Sequence, residues 1–149
     1  MSIDKVKELN DLWHIVGMRM KAEMNSGKYP AILGVSMVEL SILQVVENRP
    51  NCMLKEISSQ LELPKSTLTS AINRLESKGL VKRNLCKEDK RAYNLELTEV
   101  GLQAQHEHRN IEYAIFEDML QKLDMEEKNI FIRMLSKAVS SKRNENENY

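Results

Sequence analysis

The order of local patterns between Leu54 and Leu97 leaves few folds open. Residues 54–61 carry apolar side chains at helical spacing, with Ile57 and Leu61 on one face, and Glu62 and Leu63 follow as a tight turn. Pro64 suits the first position of a new helix, because the N–H it lacks has no partner there. That helix is predicted over Lys65–Lys78, burying Leu68, Ala71, Ile72 and Leu75, with Gly79 as its C-terminal stop. Two segments, Leu80–Cys86 and Ala92–Leu97, then read as a hairpin around the charged run Lys87–Arg91. In the second of them Tyr93, Leu95 and Leu97 alternate with Asn94 and Glu96, the signature of a half-buried strand.

The flanking segments are helical. Val6, Leu9, Trp13, Val16, Met20 and Met24 recur at steps of three and four, predicting a helix over about residues 4–25 that Ser26–Pro30 breaks. Ser36 with Glu39 fits a capping box for a helix through Leu40, Leu43 and Val46, closed by Asn48–Asn51. Thr98 caps a long helix from Glu99 to about Lys122. Asp124 with Glu127 opens a last helix with the stripe Ile130, Phe131, Met134, Leu135 and Ala138. The expected fold is mainly α with a small β-hairpin wing. It is one domain over 1–149, in which 36–98 form a winged helix-turn-helix lobe, 1–30 and 99–141 a helical dimerisation region, and 142–149 a disordered tail. Dimerisation is expected because the apolar stripes at both ends exceed what one winged helix can cover.

The predicted second helix of the lobe sets the functional expectation. Opposite its apolar face stand Ser66, Thr69, Ser70 and Asn73, with Lys65 and Thr67 at its start. Short donors and acceptors with little charge let a helix approach base edges in a major groove. Arg74 and Lys78, further along, suit phosphate. Lys87, Lys90 and Arg91 at the wing tip would reach the flanking backbone and minor groove, with Asp89 holding Arg91 in one rotamer. The chain is neutral overall, yet residues 54–91 hold nine basic and five acidic side chains (+4) and residues 96–149 seven and eleven (−4). This asymmetry fits a localised basic face and double-stranded DNA as partner.

The run RLESKGLVKRNLCKEDKRAYNLELTEVG, Arg74 to Gly101, resembles the signature of the MarR (multiple antibiotic resistance regulator) family. Leu75, Glu76, Lys78, Gly79, Leu80, Val81, Asp89, Arg91, Leu97, Thr98 and Gly101 carry the match. The resemblance implies a homodimeric transcriptional regulator, its interface built from the first helix and the last two, that binds a palindromic operator and is relieved by a small ligand. Two positions depart from the family pattern: Ser70 stands where Arg or Lys is frequent, and Met53 where a capping Thr is common.

Other functions find less support. His14, His106 and His108 are the only histidines, and the i, i+2 pair points to different helix faces, so neither a metal site nor a catalytic set emerges, and no cofactor is expected. Cys52 and Cys86 lack CxxC spacing and read as free thiols, although a redox-sensing regulator remains an alternative. A winged-helix module that binds protein instead of DNA is another, which the basic wing tip disfavours. Met18, Met20, Met24, Met119, Met125 and Met134 could line a pocket for a lipophilic or aromatic effector, or simply fill a dimer core. The N-terminus is charged from residue 4 with no apolar h-region, and no run is long enough to span a bilayer, so a cytoplasmic protein with no membrane partner is expected.

Overall fold

A computed structural model describes residues 3–86 and 92–140. Lys87, Asp89, Lys90, Arg91 and the tail from residue 141 lie outside the described residues. The chain divides into two compact units, Met1–Glu112 and Tyr113–Tyr149, with the division falling inside one long helix.

The first unit is organised around α2 (Met37–Asn48), which buries Leu40, Ile42, Leu43, Val45 and Val46. A helix apolar on most of its circumference belongs in a core. Its start is held by the reciprocal capping box, Glu39 N–H donating to Ser36 Oγ at 3.2 Å and Ser36 N–H to Glu39 Oε2 at 2.9 Å. Before it come α1 (Ile3–Met24) and a 3₁₀ turn, Pro30–Ile32. Ala31 N–H donates to Glu107 Oε2 at 2.9 Å, which fastens this turn to the later long helix.

α3 (Leu54–Leu61) and α4 (Lys65–Ser77) follow on α2, separated by Glu62, which takes the left-handed conformation with φ 52°. Ser58 secures the turn by donating its hydroxyl to Leu63 O at 2.7 Å and accepting Leu63 N–H on its carbonyl. Pro64 lies one position earlier than expected. It is the residue before the helix, and its carbonyl accepts from Leu68 N–H at 3.0 Å. At the far end Gly79 (φ 71°) completes a Schellman motif, with Gly79 N–H to Glu76 O and Leu80 N–H to Leu75 O, both 2.9 Å.

β2 (Val81–Leu85) and β3 (Tyr93–Leu97) form the expected hairpin, pairing Val81 with Leu97 and Leu85 with Tyr93. A third strand, β1 (Cys52–Met53), was not anticipated. It adds antiparallel to β3, giving the order β1-β3-β2. Two residues cannot display alternation, so nothing in the local pattern marks them as a strand. The fold is therefore mostly helical with a small three-stranded antiparallel sheet.

α5 (Glu99–Gln121) starts against the end of α4. Thr98 Oγ1 accepts from Gly101 N–H at 3.0 Å and donates to Gly79 O at 2.6 Å, so one hydroxyl caps α5 and ties it to the α4 terminus. In the second unit α6 (Met125–Val139) opens with a capping box of Asp124 and Glu127, each bond 2.9 Å. Ile130, Phe131, Met134 and Leu135 are exposed, and α6 buries none of its residues. Since its cap lacks tertiary support, Asp124→Ala is expected to cost about 1 kcal/mol, visible as reduced helicity in a thermal melt followed by circular dichroism.

Candidate nucleic-acid interface

α4 is anchored by Leu68, Ala71, Ile72 and Leu75, all buried, and this anchoring turns the opposite side to solvent. Lys65, Ser66, Thr67, Ser70, Asn73 and Arg74 are exposed, while Thr69 is half-buried. The Thr69 hydroxyl donates to Lys65 O at 2.8 Å. The predicted polar face is thus assembled on one helix side beside the hairpin.

Arg74 and Lys78 have a partner the sequence did not disclose. Arg74 Nε donates to Glu39 Oε1 at 2.6 Å, and Lys78 Nζ to Glu39 Oε2 at 3.0 Å and Gly34 O at 2.5 Å. Glu39 is 1% exposed. Its burial alone would raise the carboxyl's pKa, but Ser36 N–H, Arg74 and Lys78 together hold it below the ordinary 4.5. The two cations expected at phosphate therefore also lock α4 onto the N-terminus of α2. Their only legible signal was Glu39 in the capping box, which gave no hint of contacts 35 and 39 residues away.

Arg83 on β2 was also missed. Its guanidinium lies 4.6 Å from the centre of the Tyr93 ring, its Nε is 3.2 Å from Glu76 Oε2, and Nη2 donates to Asn73 Oδ1. Arg83 falls on the same strand face as buried Val81, a position where a long cation is notable. Across the hairpin, the Asn84 amide and then Lys82 hold the Glu96 carboxyl below its ordinary value. A groove of 630 Å³ between α3, α4 and the hairpin is lined by Met53, Leu54, Leu68 and Tyr93, with Lys55, Lys65 and Arg83 at its walls.

The remaining candidates are dispersed. Met20 and Met24 line a 400 Å³ groove with Val35 and Met37, and Met125 lines another in the second unit with Ile130 and Arg133. Burial, followed by the charge of Glu56, pushes the Cys52 thiol up, which suppresses the reactive thiolate. Cys86 Sγ is 3.8 Å from Met53 Sδ. As N-cap of α3, Met53 supplies no side-chain bond, and only the return half of a box is made, Met53 N–H to Glu56 Oε2 at 2.7 Å. His106 pairs with Asn110 at 3.2 Å, and His108 is buried 3.5 Å from Glu112. Among the described residues no three His, Cys, Asp or Glu side chains are grouped to hold a metal, and no helix is long and apolar enough to cross a membrane.

Helix, turn, helix and a three-stranded wing define a winged helix-turn-helix protein. Residues 35–93, which run from α2 through β2 and reach the first residue of β3, match the MarR family. It is 27% identical over 137 residues to the uncharacterised HTH-type transcriptional regulator YwhA of Bacillus subtilis, covering 92% of this chain and 98% of the relative. Against the HTH-type transcriptional regulator SarZ of Staphylococcus haemolyticus identity is 29% over 100 residues, 67% of each chain. The fold is that of Streptococcus pneumoniae FabT, crystallised in complex with DNA, with a TM-score of 0.78, 21% identity, and 92% and 94% of the two chains covered. YwhA and SarZ are both named as HTH-type transcriptional regulators.

Proposed function

We propose that this chain is a cytoplasmic, DNA-binding transcriptional regulator that acts as a homodimer on a palindromic operator, most simply as a repressor. The observation that carries this reading is the exposed row Lys65, Ser66, Thr67, Ser70 and Asn73 on a helix whose other side is locked into the core. Thr69 completes the row and Arg74 and Lys78 lie further along the helix, while Lys87, Asp89, Lys90 and Arg91 join the proposal from the sequence alone. Rigid backing with short polar groups outward is what reading base edges requires. The relatives' regulatory role and the FabT–DNA complex support it.

Two apolar surfaces support the dimer. α1 exposes Leu9, Leu12, Trp13 and Met18, and α6 exposes Ile130, Phe131, Met134 and Leu135. Contiguous apolar surface of this kind is covered in stable proteins. The effector is read as a small aromatic or lipophilic molecule. The 630 Å³ groove is of ligand size, and its three cations favour an anionic one.

Selection of bound fragments from a random duplex library by the purified protein tests the assignment, repeated with aromatic carboxylates present. A common motif with two-fold symmetry is expected, and light scattering should give about twice 17.3 kDa. Ser70→Ala should alter base preference at one position per half-site, by about 1–3 kcal/mol for a strong contact. A monomer that retains no DNA sequence would end the proposal.

A further inference from the structure

We infer that Arg83 sets which base edge Asn73 can read, making Arg83 a specificity-determining residue that never touches the base itself. The inference rests on the DNA-binding reading above. An asparagine amide has an acceptor end and a donor end, and a free one pairs with adenine by using both, accepting from N6 and donating to N7. In this structure a cation already engages the acceptor end. Arg83 Nη2 donates to Asn73 Oδ1, and since a guanidinium offers only donors, the amide can face it only with its oxygen. The orientation of the amide is thereby decided by chemistry.

Arg83 is itself held in place from two other directions. The Tyr93 ring lies under its guanidinium at 4.6 Å, and Glu76 Oε2, one turn along α4 from Asn73, stands 3.2 Å from Nε. The Arg83 side chain is 28% exposed, so this cluster sits at the seam between the wing and α4 while Asn73 remains on the outer face. What Asn73 presents outward is then its Nδ2 group, a pure donor. The positive charge at its oxygen also repels the N6 amino group of adenine. Guanine, whose major-groove edge offers N7 and O6 as acceptors and no donor, is the base that such a group reads best.

The test is library selection with the full-length wild type, Asn73→Ala, Arg83→Met and Arg83→Lys, each checked by thermal melt. Asn73→Ala should erase preference at one position per half-site, and the wild type should read guanine there. Arg83→Met, which frees Oδ1, should shift that position toward adenine by about tenfold, and Arg83→Lys should fall between. The proposal is overturned if Asn73→Ala changes no position, if the erased wild-type base is adenine, or if a folded Arg83→Met keeps its guanine preference. If the Arg83 variants do not fold, a wild-type base other than guanine at the position that Asn73→Ala erases still overturns the proposal. A wild type that selects no sequence at all would instead remove the DNA-binding reading on which this one stands.

Discussion

Gly101→Ala is expected to destabilise the protein by about 2–4 kcal/mol, although the substitution sits inside a helix where alanine normally gains about 1 kcal/mol over glycine. The sign is decided by what lies above the residue. A Cβ at position 101 would be driven inside contact distance of the Leu80 carbonyl oxygen and 3.1 Å from its carbonyl carbon. That oxygen belongs to the main chain, so no side chain can swing aside. It also accepts Thr98 N–H at 3.1 Å, and the shift needed to admit a methyl would stretch that bond and the Thr98 hydroxyl bridge to Gly79. Overpacking costs about 1–3 kcal/mol and the lost bonds about 1 kcal/mol each, which exceeds the propensity gain. Urea unfolding would measure the loss, and an unchanged or raised midpoint would show that α5 does not need this close approach.

Glu39→Ala should cost a similar amount, about 2–4 kcal/mol. Removing one member of a buried pair costs about 3–5 kcal/mol, and the figure is discounted here because the Arg74 and Lys78 side chains are 54% and 33% exposed and can regain water. The loss should depend on pH. Folding holds the Glu39 pKa below its ordinary 4.5, so the unfolded chain takes up the proton first as the solution is acidified. The stabilisation is therefore complete above 4.5 and fades as pH falls from there through the lower folded-state value. Unfolding midpoints of wild type and Glu39→Gln should differ at pH 7 and converge as the pH falls below 4.5. A gap that stayed constant would mean that the carboxylate charge contributes nothing.

Much of the architecture was legible because the decisive signals were local. The bounds of α3, both reciprocal capping boxes and the Gly79 stop each depend on residues within four positions of one another, and the structure has them where the pattern put them. The exposed polar side of α4 was legible for the same reason. What escaped were pairings between residues far apart in the chain. Cys52–Met53 become a strand only because β3 is there to receive them. Arg74 and Lys78 look like free cations until α2 brings Glu39 beneath them, and Asn73 looks like a free amide until β2 brings Arg83 across. The wing-tip residues, argued from sequence alone, fall outside the described residues and are carried as part of the proposal.

The position of β1 at the edge of β3 has a consequence for how the chain must be made. Asn51 N–H donates to Leu95 O at 3.2 Å, and Cys52 lies opposite Leu95. On a ribosome the partner of β1 is therefore made only after α3, α4 and β2. Closing the Cys52–Leu95 pair encloses residues 53–94 in one loop, whose closure carries an entropic cost. A nascent chain that stops short of Tyr93 has nothing to pair with Cys52, and the start of α3 is left without its strand. The β1 edge of the sheet thus waits on β3, and α4 and β2 lie within the loop that its pairing closes.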